Sequence, residues 1–177
     1  DLAAIAVSKG FRSALYGPNT LGGAINLISR KPSKELEGDV TTGLYLNKGL
    51  SGNGFHTDLN AGGNRGTWYW QASGSYLNKD QYQVSGDFQP TRYEDGSNRD
   101  NSYNRDKKIN LKLGWTPSAT DEYTLNYINQ QGAKGTPVYA GTDTASNNSA
   151  RFWQWPYWNK ESMYYISRTT IGADSYL

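Results

Sequence analysis

Cysteine is absent from the 177 residues, so neither disulfides nor thiolate metal sites are available. Histidine is nearly absent too. His56 stands alone, which leaves the common hydrolytic and metal constellations almost nothing to work with. We therefore expect no enzyme and no cofactor or metal of the protein's own. No run of about 18 apolar residues occurs, which excludes a transmembrane helix, and no charged-then-apolar leader opens the chain. A signal peptide, if the full protein has one, is expected to lie upstream. Charge of one sign is missing as well: the formal net charge is +2, with basic residues scattered among acidic ones, and no nucleic acid is expected as a partner. A single Met contrasts with 14 Tyr and 6 Trp, and aromatics make up 14% of a chain that is 36% hydrophobic. That composition is poor for an aliphatic core. It suits strands that stand in a membrane interface, where amphipathic rings are favoured.

From residue 36 onward, period-two alternation dominates. Strand one is expected at 36–47, with Val40, Thr42, Leu44 and Leu46 on one side and Asp39, Thr41, Gly43 and Tyr45 on the other. Strand two, at 55–62, sets Phe55, Thr57, Leu59 and Ala61 against His56, Asp58, Asn60 and Gly62. Strand three, at 67–78, opposes Trp68, Trp70, Ala72, Gly74 and Tyr76 to Tyr69, Gln71, Ser73 and Ser75. Strand four, at 107–115, is the cleanest, with Ile109, Leu111, Leu113 and Trp115 opposite Lys108, Asn110, Lys112 and Gly114. Strand five, at 122–131, opposes Tyr123, Leu125 and Tyr127 to Thr124, Asn126 and Ile128, while in strand six, at 160–171, Tyr164, Tyr165 and Ile166 fall on both faces.

The connections alternate in size: 48–54, then 64–66, then 79–106, then 116–121, then 132–159. Outer-membrane barrels have short turns on one side, long loops on the other, and strands of about 10 residues that alternate apolar-out and polar-in. Trp68, Trp70, Trp115 and Tyr123 collect beside the short turns, as an interfacial girdle requires. An ordinary antiparallel sandwich also alternates apolar and polar faces, but connections of this length are unusual in a compact domain.

Ahead of the strands, residues 9–32 read KGFRSALYGPNTLGGAINLISRKP. By itself this is a Gly-rich turn region before a short apolar strand, with another short strand at 2–8. A phosphate cradle fails, because Gly and Ala stand where its lysine and hydroxyl belong. Arg12-Ser13-Ala14-Leu15-Tyr16-Gly17, then Gly22-Gly23-Ala24-Ile25-Asn26-Leu27-Ile28-Ser29 and Arg30-Lys31-Pro32, together resemble the closing segment of the plug domain in TonB-dependent outer-membrane receptors. The residues carrying this motif are Gly10, Ser13, Leu15, Tyr16, Gly17, Gly22, Gly23, Ile25, Asn26 and Pro32. The turn at 116–121 (TPSATD) also resembles a periplasmic turn of that family.

The resemblance implies an all-β fold. Residues 1–35 would be the C-terminal part of an α+β plug domain, and 36–177 the first six or so antiparallel strands of a transmembrane β-barrel of about 22. It further implies the outer membrane of a Gram-negative bacterium, lipid around the barrel, and active import of a scarce solute, most often a ferric siderophore. Energy would come from a TonB complex pulling on an N-terminal box upstream. A cobalamin, heme or glycan receptor of the same family, a passive porin and a soluble carbohydrate-binding β-sandwich are the alternatives.

Two loops carry candidate ligand contacts. Arg92, Arg99 and Arg105 in the 79–106 connection suit an anionic iron chelate, although among Glu94, Asp95, Asp100 and Asp106 they also read as a solvated loop with weak ion pairs. The aromatic run 152–158, with Trp153, Trp155 and Tyr157, can grip a ligand by stacking; outer girdle and loop packing is the reading we favour from sequence. Residues 95–100 make a poor calcium loop, since Arg99 replaces an oxygen ligand and no terminal Glu follows. His56 reads as a polar residue of the inner face. If the membrane reading holds, strands one and six are open edges, residues 9–32 lie against the polar face, and Val40, Leu44, Leu59, Trp70, Leu111, Leu113 and Leu125 point outward uncovered.

Overall fold

A computed structural model describes residues 2–9, 22–140, 151–172 and 175–176. Its main body is one antiparallel sheet of six strands: β3 (Glu37–Leu46), β4 (Gly52–Asn64), β5 (Trp68–Lys79), β8 (Asn104–Trp115), β9 (Glu122–Thr136) and β10 (Trp153–Arg168). Their order in space is β10-β9-β8-β5-β4-β3. Each strand therefore pairs with its sequence neighbours in the sheet, and β3 and β10 are its two edges, as the alternation predicts. Between β5 and β8 a small hairpin, β6 (Tyr82–Gln83) with β7 (Asn98–Arg99), is inserted. Ahead of the sheet, β1 (Leu2–Lys9) and β2 (Gly23–Ser29) form a separate two-stranded ribbon, and after it β11 (Thr170–Gly172) pairs with β12 (Ser175–Tyr176).

Cross-strand partners share a face, so the register sorts every side chain. Trp70 pairs with Leu113, Leu113 with Leu125, and Leu125 with Tyr165. One row further, Gln71 pairs with Lys112 and Lys112 with Asn126. The first set is bare: Leu44 is 75% exposed, and Val40, Leu59, Trp70, Leu111, Leu113 and Leu125 are exposed too. The second set is buried, as are Asn53, Glu94, Ser102 and Asn110, whereas the only buried hydrophobic residues among those described are Tyr69 and Val138. This inverts the usual partition of a water-soluble domain. No second sheet covers the apolar face among the described residues, so the sandwich alternative has no support here.

The short turns are built as the residues dictate. In the β4–β5 turn, Gly66 adopts φ +77°, and its amide donates to Asn64 Oδ1 (3.0 Å) while Arg65 N donates to Trp68 O (2.8 Å). In the β8–β9 turn, Ser118 Oγ accepts from the amides of Thr120 and Asp121. Beside these turns the rings of Trp68 and Trp115 stack at 5.7 Å, and Trp115 meets Tyr123 at 5.3 Å, all on the apolar face.

The strands differ from expectation mainly in length. β9 continues to Thr136 because Gly132 lets Trp158 of β10 lie on it; a Cβ there would stand 2.3 Å from the indole. The larger correction is β10, which begins at Trp153 and not near 160. Pro156 argues against a strand in sequence. The structure accommodates it where the register shifts, between Trp155 and Trp158 of an edge strand, the setting in which a missing N–H costs no ladder bond. Trp153, Trp155 and Tyr157 are thus strand residues, not loop residues.

Candidate functional site

Residues 29–32 leave β2 and run onto the polar face of the large sheet, where each is held. The Lys112 ammonium, 9% exposed, donates to the carbonyl of Arg30 at 3.0 Å and to Ser29 Oγ. Lys31 Nζ lies 2.9 Å from Glu122 Oε1 and 4.8 Å from the centre of the Tyr69 ring, and the Tyr69 hydroxyl donates to the same carboxylate oxygen at 2.7 Å. Arg30 Nη1 pairs with Asp39 Oδ2 at 2.5 Å, while Asn60 Nδ2 donates to Asp39 Oδ1 at 2.9 Å. Pro32 is fully buried; a Cβ on Gly62 would fall 2.5 Å from its Cγ, and Asn64 Nδ2 donates to its carbonyl. Downstream, Glu37 Oε2 accepts the amides of Ser33 and Lys34.

Exposed ion pairs such as Lys31–Glu122 contribute only about 0–1 kcal/mol each. What distinguishes this seat is that four strands, β3, β4, β5 and β8, and the first residue of β9 all supply partners to one four-residue segment. Lys112, Glu122 and Tyr69 were not singled out by sequence reasoning. The available signal was a lysine and a tyrosine on the polar side of otherwise apolar alternation, which marks a face but not a partner.

The plug-like motif is described only in part: Gly10, Ser13, Leu15, Tyr16 and Gly17 lie outside the described residues. Ile25 pairs with Val7 and Asn26 with Ala6 in the ribbon. The double glycine divides. Gly23 has φ +132° and a Cβ would sit 2.2 Å from the Ser8 carbonyl oxygen, whereas nothing lies within 4 Å of a Cβ on Gly22. Of the two, Gly23 alone is held in a geometry that a side chain would disturb.

At the other end of the sheet, the three arginines do not converge. Arg99 Nε lies 3.0 Å from the buried Glu94 carboxylate, and its Nη2 donates to the Val138 carbonyl at 2.6 Å. It joins the β5–β8 connection to the segment after β9. Arg92 lies over its neighbour Tyr93, and Arg105, paired with Asn78 and Ala133, is on the apolar-face side of β8 over Tyr103. Trp153 pairs with Thr136 and Trp155 with Lys134, which places both on the polar face, opposite to the Trp68–Trp115–Tyr123 cluster; Tyr157 falls in the register shift. The girdle reading of Trp153 and Trp155 is therefore corrected.

Residues 95–97 form a bend leading into β7, with Asp95 Oδ1 accepting from the amide and hydroxyl of Ser97 and Gly96 at φ +90°. Among the described residues no group of three His, Cys, Asp or Glu could hold a metal ion. His56 lies on the polar face, its ring 5.4 Å from that of Tyr45 and packed where a Cβ on Gly43 would stand.

The fold is shared with a solved structure, the copper transporter OprC: TM-score 0.66 at 18% identity, over 96% of this chain and 22% of that one. The chain thus spans about a fifth of that protein's length, and at this identity the likeness concerns the fold. No protein-family model and no curated protein matches the chain.

Proposed function

We propose that this chain is a piece of a TonB-dependent outer-membrane importer: the end of its plug domain in residues 1–35 and the first six strands of its barrel in 36–177. The observation that carries this reading is the seat of residues 29–32. A segment with the plug-like Ile25-Asn26…Arg30-Lys31-Pro32 exit sits on the polar face of a sequential antiparallel sheet whose other face is bare apolar surface. A sheet of that polarity needs lipid outside and a polar lumen inside. A passive porin has no use for a segment fastened across its lumen wall. The mechanism is gated transport, not bond-making: solute is bound at the outer end, and the fastened segment must shift before the lumen opens.

The cargo we infer is a ferric siderophore. In OprC the name speaks of copper; here the sole His56 and the sole Met163 fall on opposite faces, His56 with Gly43 inside and Met163 with Tyr127 outside. A chelated metal, already satisfied by its own ligands, fits that distribution better than a bare soft ion. The experiment is uptake of a radiolabelled ferric chelate by cells carrying the full-length protein. Uptake is expected to require TonB and a proton-motive force while surface binding persists without them. Equal uptake in a TonB-deficient strain removes the importer reading.

A further inference from the structure

The register brings six residues, one from each strand of the large sheet, into one row: Tyr45, Gly54, Lys79, Asn104, Lys134 and Trp155. The row lies on the polar face at the end remote from the seat of residues 29–32. Lys79 Nζ is 3.8 Å from the centre of the Tyr82 ring and 4.6 Å from that of Tyr45. Lys134 Nζ is 6.0 Å from the Trp155 ring. Gly54, between Tyr45 and Lys79, has φ +130°, and a Cβ there would stand 2.1 Å from the Asn78 carbonyl oxygen, so no side chain rises between the phenol and the ammonium. Neither lysine has an ion-pair partner among the described residues. The aspartate one row deeper, Asp106, is taken up by Gln130, which donates to both its oxygens at 3.1 and 3.0 Å. Trp153 and Trp155 remain 59% and 50% exposed.

Two ammonium stems two strands apart in the row, with a neutral Asn104 between them, are separated by about 10 Å, twice the spacing of adjacent strands. Cation–π contact holds Lys79 in place without a counter-charge. A surface with unneutralised cations in the middle and aromatic rings at both ends, Trp155 half exposed, is complementary to an anion whose charge is carried on planar rings. Ammonium groups meet the anionic oxygens in charge-assisted hydrogen bonds, and the tyrosines and tryptophans offset-stack on the rings. We propose that this row recognises an anionic chelate of the catecholate or phenolate class, a substrate class that rests on the importer reading above. A neutral aliphatic chelate would leave both ammoniums without a partner in the bound state and gain nothing from the rings.

The test uses the full-length protein in detergent, with quenching of tryptophan fluorescence as the signal and two probes, the ferric complex of 2,3-dihydroxybenzoate and the neutral ferric complex of acetohydroxamate. The wild type is expected to bind the first in preference. Lys79→Gln with Lys134→Gln should weaken that binding roughly tenfold or more, the equivalent of about 1.4 kcal/mol, and Trp155→Leu should weaken it severalfold. Lys107→Gln makes the same charge change on the opposite face of β8 and should leave binding unaltered. Heat-modifiable migration on gels verifies that each variant is folded. Unchanged affinity in the folded double variant, equal affinity of the wild type for both probes, or no saturable catecholate binding overturns the proposal. TonB-dependent uptake with unaltered binding in the row variants would sink the row and leave the importer standing. Weakened binding with TonB-independent uptake would do the reverse.

Discussion

At the scale of single residues, much of what matters is paid in backbone geometry and in buried charge. Gly23 combines a positive φ with contact against Ser8, Gly49 has φ +88° in open space, and Gly22 has neither constraint. The strain of φ alone costs an L-residue on the order of 1 kcal/mol, to which Gly23 adds a clash that only movement of the Ser8 backbone can relieve. Gly23→Val is therefore expected to reduce assembly and transport strongly, Gly49→Val mildly, and Gly22→Ala not at all, measured as folded protein in the outer membrane and as chelate uptake. Equal behaviour of the Gly22 and Gly23 variants would show that the Ser8 contact does not matter. Glu94 is the other sensitive residue. Its side chain is wholly buried and faces Arg99, so removal of the guanidinium would strand a carboxylate at a cost of about 3–5 kcal/mol. Arg99 thus acts as a strut between two connections and is not free to meet a ligand.

At the scale of elements, face is the governing variable. Leu111 of β8 and its cross-strand neighbour Ala72 of β5 stand on the bare side, while Ser73 and Asn110, one residue along, stand on the polar side. Because lipid offers a cation nothing, Leu111→Arg is expected to destabilise the folded protein in liposomes by about 2–4 kcal/mol. Ser73→Arg, one row away but facing the lumen, should cost well under half of that. The two are compared by urea titration in the same bilayer. Equal costs would mean that both faces see water, which would end the membrane reading. The same variable explains the seat of residues 29–32: Lys112 reaches the Arg30 carbonyl only because it lies on the polar side of a strand whose other side is Leu111 and Leu113.

At the scale of the molecule, β3 and β10 present unpaired edges. An open edge invites pairing with another chain in water, and in hydrocarbon each unsatisfied group costs several kcal/mol. On the proposed reading these edges are closed by further strands of the barrel. The 177-residue chain expressed by itself is accordingly expected to aggregate or to associate through β3 and β10, and to lack the heat-modifiable monomer band of a closed barrel. A stable, monodisperse monomer in detergent would show that six strands suffice and would contradict the barrel. The ribbon of β1 and β2 belongs to this scale as well. Ile5, Val7, Ile25 and Leu27 share one exposed face of it, which on the proposed reading the rest of a plug domain covers.

The sequence by itself determined which residues are extended, which face each of them takes over most of the sheet, and where the chain turns. These are local matters: side chains alternate with period two whatever the partner strand, and Asn64, Gly66 and Ser118 close their turns with their own neighbours. The motif at 22–32 was legible for the same reason, since its order of glycines, apolar residues and basic exit is written along the chain. What only the tertiary structure decided is everything that depends on register. Pro156 reads as a break until β9 is laid beside it and a shift in pairing absorbs it; Trp153 and Trp155 have no inside or outside until Thr136 and Lys134 lie opposite them. Arg99 is an exposed cation in the sequence and the half-buried partner of the buried Glu94 once the β6–β7 hairpin folds. The row from Tyr45 to Trp155 joins residues 110 positions apart in the chain. Alternation assigns each of them a side, but only the alignment of six strands places them at one level, because hydrogen-bonded pairing and not local preference sets how far each strand slides along the next.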